Sequence, residues 1–72
     1  MTKNEMLFEM MKVVAPVIVQ EGINLQNRVA NTGRDPANCT INGKSIPDAY
    51  AETARIWAES MVNEFVDYDQ NH

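Results

Sequence analysis

The residues with the most chemical potential are Asn42-Gly43-Lys44-Ser45, which lead into a helical segment. At a helix N-terminus, backbone amides and a lysine can cradle phosphates. The full phosphate-loop pattern, G-x-x-x-x-G-K-[ST], needs a glycine where this chain has Asn38, and a strand and parallel sheet that 72 residues do not supply. What survives is a weaker anion site near Lys44. Arg28, Arg34 and Lys44, interleaved with Asn38 and Asn42, widen it into a candidate pocket for a small anionic ligand such as a nucleotide. Asparagine equally serves caps and turns by bonding its own backbone, so both readings stand at this point.

Other catalytic chemistry finds few residues. Cys39 is the one cysteine, which excludes an intrachain disulfide framework and suits a reduced, cytoplasmic setting. The one histidine is His72, so neither a structural zinc set nor an internal nucleophilic triad can be assembled. No metal, no cofactor and no enzymatic activity are expected. Asn38-Cys39-Thr40 fits the glycosylation pattern, which has meaning only in a secreted chain. The apolar run Met6–Val19 carries Lys12 through its middle, unlike a secretory signal, and falls short of the roughly 20 residues that span a bilayer.

Charge is unevenly placed. The net charge is −4, yet residues 1–44 hold Lys3, Lys12, Arg28, Arg34 and Lys44 against Glu5, Glu9, Glu21 and Asp35. Residues 45–72 hold Asp48, Glu52, Glu59, Glu64, Asp67 and Asp69 against Arg55 alone. That balance disfavours direct binding to phosphate backbones. It suits an acidic helix that meets a basic protein surface, with Glu52, Ile56, Glu59, Glu64 and Asp67 as the candidate contact. Ile56 projects among these polar residues, as a lone surface apolar or as part of the contact.

The elements that position these residues read as helices. Glu5, Glu9, Lys12, Pro16 and Gln20 recur at helical spacing and form one narrow polar stripe. Apolar residues fill the rest of the circumference, so this helix requires burial on most sides. One partner helix covers one flank. A second copy or another protein is then expected on the other, with Met6, Leu7, Phe8, Met10, Met11, Val14, Val17 and Ile18 as the oligomer interface. Thr2 and Glu5 stand in capping-box positions. Pro16 bends the helix or ends it near Ala15, and the β-branched run Val17-Ile18-Val19 offers a short strand as the rival.

Gly22 reads as a stop, which gives a first helix over 3–21, and Asn24 can cap a short middle helix over 24–31 ending at Asn31-Thr32-Gly33. Asn42-Gly43 signals a type I′ turn with only a minimal ribbon around it. A last helix over 46–67 starts with Ser45 as cap and Pro47 in its first turn. Its core-facing stripe reads as Tyr50, Ala54, Trp57, Met61, Phe65 and Tyr68, flanked by Ala51 and Ala58.

The chain as a whole is thus expected to be a single all-α domain over 1–72, assembled as a homodimer or higher oligomer. Its Met/Val-rich first helix, Asn/Gly-rich connection and helix Asp48-Ala49-Tyr50-Ala51-Glu52-Thr53-Ala54-Arg55 resemble in style the small acidic helical accessory proteins of tailed bacteriophages and prophages. The resemblance implies a non-catalytic protein that binds and modulates or inhibits a host protein. Sequestration of a small anionic signal and a structural role in a larger assembly are the alternatives.

Overall fold

Thr2 opens the first helix as its spacing to Glu5 predicts. Its hydroxyl accepts the Glu5 backbone N–H at 3.1 Å, and its own N–H donates to the Glu5 carboxylate at 3.4 Å, completing the capping box. In the computed structural model, which describes residues 1–71 and side chains as far as Asp67, helix α1 runs from Lys3 to Asn31. A 3₁₀ turn over Pro36–Asn38 and strands β1 (Thr40–Ile41) and β2 (Lys44–Ser45) follow, then helix α2 over Ile46–Asn71. The chain is mostly helical, and the minimal ribbon makes it less than strictly all-α.

The helix continues through an exposed Pro16, as the expected span over 3–21 requires, and Val17–Val19 are helical rather than a strand. Gly22, expected to stop the helix, does not. The segments expected over 3–21 and 24–31 are one helix, and Gly22 is buried inside it. The reason is a contact across the fold. A Cβ at position 22 would lie 3.2 Å from Cγ of Tyr50 and 3.4 Å from its Cβ, so the glycine is a notch for that side chain. The stop lies at Asn31-Thr32-Gly33, where Thr32 and Gly33 donate backbone N–H groups to Val29 and Ala30 and Gly33 has φ +87°.

Leucine at position 22 would gain about 1 kcal/mol in helix propensity but crowd the stem of Tyr50, which cannot swing away. Gly22→Leu is expected to lower stability by about 1–2 kcal/mol net, seen as a lower urea midpoint.

The connection is built from local bonds. Asp35 caps the 3₁₀ turn by accepting the Ala37 N–H at 3.0 Å. Asn42 (φ +52°) and Gly43 (φ +82°) take the left-handed conformations that a type I′ turn demands, and Thr40 pairs with Ser45, Ile41 with Lys44. Ser45 Oγ then accepts the Asp48 N–H at 3.2 Å and launches α2 directly from the ribbon. This delivers Ile46 into the core at 1% exposure. α2 extends to Asn71, a turn beyond the expected 67, while His72 and the side chain of Tyr68 lie outside what is described.

α1 and α2 pack antiparallel. Gly22 meets Tyr50 early in α2, and Leu7 shares a groove with Val62 late in it. The buried row on α2 is Ile46, Ala54, Ala58 and Val62, with half-buried Tyr50 on the same four-residue spacing. The expected stripe therefore fails at its large members. Trp57, Met61 and Phe65 are exposed, since alanines on the seam bring the backbones close and push the bulky adjacent row outward. Val14, expected in an oligomer interface, is mostly buried in the hairpin at 9% exposure and still lines the hollow beside Trp57 and Met61. The result is slender, 53 × 21 × 16 Å, with a radius of gyration of 15.5 Å. A compact chain of this length has about 11 Å.

Candidate interaction surfaces

The row pushed outward on α2 meets a matching row on α1. Met6, Met10 and Val13 line one open hollow of about 560 Å³ with Val62 and Phe65. Val13, Val17 and Ile18 line a second, of about 280 Å³, with Trp57 and Met61. Val13 belongs to both, so the two join into one apolar strip along the hairpin. Its edges carry polar residues: Glu9 borders the larger hollow and pairs with Lys12 at 3.1 Å, and Glu64 lies about 20° around α2 from Trp57.

The expected oligomer residues divide between three places. Met6, Met10, Val17 and Ile18 line the strip. Leu7 lines a different groove, with Glu59, Val62 and Asn63 on the other side of the helix pair, and Met11 is half-buried. Phe8 stands on the polar side, with the Lys12 ammonium 4.7 Å from its ring centroid. Trp57, Met61, Phe65 and Val13 belong to the strip although the sequence reading placed the first three in the core. The signal that separates the rows is size: Ala54, Ala58 and Val62 share the spacing of Trp57, Met61 and Phe65 but alone can sit where two backbones meet.

The expected acidic contact is broken up. Glu52 is ion-paired with Lys44, and Glu59 accepts from Arg55 at 2.9 Å. Glu64 lies about 140° around the helix from Glu59 and so faces the strip's side rather than the outer one. Asp67 and a half-exposed Ile56 remain with Glu52 and Glu59 on the outer face.

No protein-family model, curated protein or solved structure matches this chain.

The expected anion pocket is divided as well. Arg28 and Arg34 come together with Val29 and Thr32 around a shallow depression of about 430 Å³ at the end of α1. Lys44 is held by Glu52, Asn42 forms the turn, and Asn38 is exposed at the end of the 3₁₀ turn; none of the three lines that depression. Cys39 is half-buried with its thiol directed at the Asp35 carbonyl, 3.7 Å away. Among the described residues, no group of three His, Cys, Asp or Glu could hold a metal, and no helix is long and apolar enough to cross a membrane.

Proposed function

We propose that this chain is a non-catalytic interaction protein that works as a homo-oligomer and modulates a protein partner. One observation carries the reading: the hairpin leaves a set of large apolar side chains outside its own core. The buried apolar side chains are Val14, Ile46, Ala54, Ala58 and Val62, while Phe8, Val13, Val17, Trp57 and Phe65 are each more than half exposed. Surfaces of this composition are characteristic of association. The acidic second half of the chain supports a basic protein as the partner, met by Ile56 and Asp67 on the outer face and by Glu64 beside the strip, with Glu52 and Glu59 already engaged within the chain. The resemblance to phage accessory proteins supports a host factor in that role.

Sequestration of an anionic ligand is favoured by a separate observation, the shared depression of Arg28 and Arg34. Native mass spectrometry of protein purified from its own host weighs the two. An oligomer without added small-molecule mass is the expected result. A reproducible increment of nucleotide size, lost in Arg34→Ala with the oligomer intact, would replace the interaction reading with sequestration, and a folded bare monomer would contradict both.

A further inference from the structure

We infer that the strip of Met6, Met10, Val13 and Val17 on α1 with Trp57, Met61 and Phe65 on α2 is a dimerisation face whose occupant is the same strip of a second copy. This rests on the self-association proposed above and fixes where it occurs. The chain exposes 5440 Å². A folded monomer of 8.1 kDa exposes about 4,500 Å². The surplus, about 950 Å², belongs to the elongated hairpin as a whole and is large enough to supply the roughly 800 Å² that each partner contributes to a standard stable interface.

Composition and shape agree. Tryptophan, phenylalanine and methionine are enriched at interface centres, and charges are depleted there. The strip has these residues along its length and carries charge only at its edges, in Glu9 and Glu64. A two-fold axis across it would lay the α1 row of one copy against the α2 row of the other, making two hairpins into a four-helix bundle. Each row that lacks a neighbour in the single chain then gains one. The opposite flank, where Val19 and Ile23 meet Tyr50 and Pro47 in a hollow of about 220 Å³, is smaller and offers no comparable aromatic row.

Trp57 is the chain's only tryptophan and is 55% exposed, so it reports on this face without any mutation. The experiment follows its emission during dilution, alongside mass by sedimentation velocity. The expected result is a red shift that tracks conversion of dimer to monomer. A Val13→Glu/Met61→Glu variant that keeps its helical circular dichroism should self-associate about a hundredfold more weakly, while Val19→Glu/Ile23→Glu associates as wild type. Mass that halves on dilution with unchanged Trp57 emission would overturn this face and leave self-association standing. A wild-type chain that is a folded monomer at every concentration would overturn both, and the strip would belong to a different protein.

Discussion

Ala58→Leu is expected to lower the stability of the hairpin by about 3 kcal/mol, at the upper end of the usual cost of overpacking. Ala58 is completely buried on the row that faces α1. Its methyl group leaves no space for three more carbons unless the helices separate along the whole seam. For 72 residues, total stability is on the order of 4–10 kcal/mol, so the loss is a large share of it. Ala51→Leu provides the comparison, because it adds the same atoms seven residues away at an exposed position. Its stability should change by no more than about 0.5 kcal/mol. Urea unfolding of both variants checks the pair. Equal midpoints would mean that the alanine row is not where the helices meet.

What the sequence made legible was local. The capping box of Thr2 and Glu5, the stop at Asn31-Thr32-Gly33, the Asn42-Gly43 turn and the Ser45 cap each depend on residues at most a few positions apart, and each is present as read. What was not legible depended on contacts across the fold. Gly22 has the same sequence appearance as a stop and as a notch, and Tyr50, twenty-eight residues on, decides between them. Periodicity on α2 likewise allowed two adjacent rows with identical spacing. The larger area they can bury favours Trp57, Met61 and Phe65 for the core, whereas close packing of only two helices favours Ala54, Ala58 and Val62. Among the described residues, no third element covers the larger row.

The candidate surfaces were legible to the same degree. The first helix's need for cover on more than one side was evident from its narrow polar stripe, and the uncovered flank is present. Its α1 lining was legible in part: Met6, Met10, Val17 and Ile18 are there as read, whereas Phe8 lies against Lys12 and Leu7 lines another groove. The acidic cluster lost coherence for a similar reason. Arg55 pairs with Glu59 at the four-residue spacing the sequence shows, whereas Lys44 pairs with Glu52 only because the ribbon folds it beside α2.

Association as the function of the uncovered strip makes stability depend on concentration, since a ligand that binds only the folded chain stabilises it, and here the ligand is the chain itself. The most direct measurement is the urea midpoint of the wild-type protein over a hundredfold range of concentration. At concentrations where the folded chain is dimeric, a hundredfold rise adds about 2.7 kcal/mol per mole of dimer, so the midpoint should rise with concentration across that range. A midpoint that stays constant would show that the hairpin folds and persists alone, and would contradict the account.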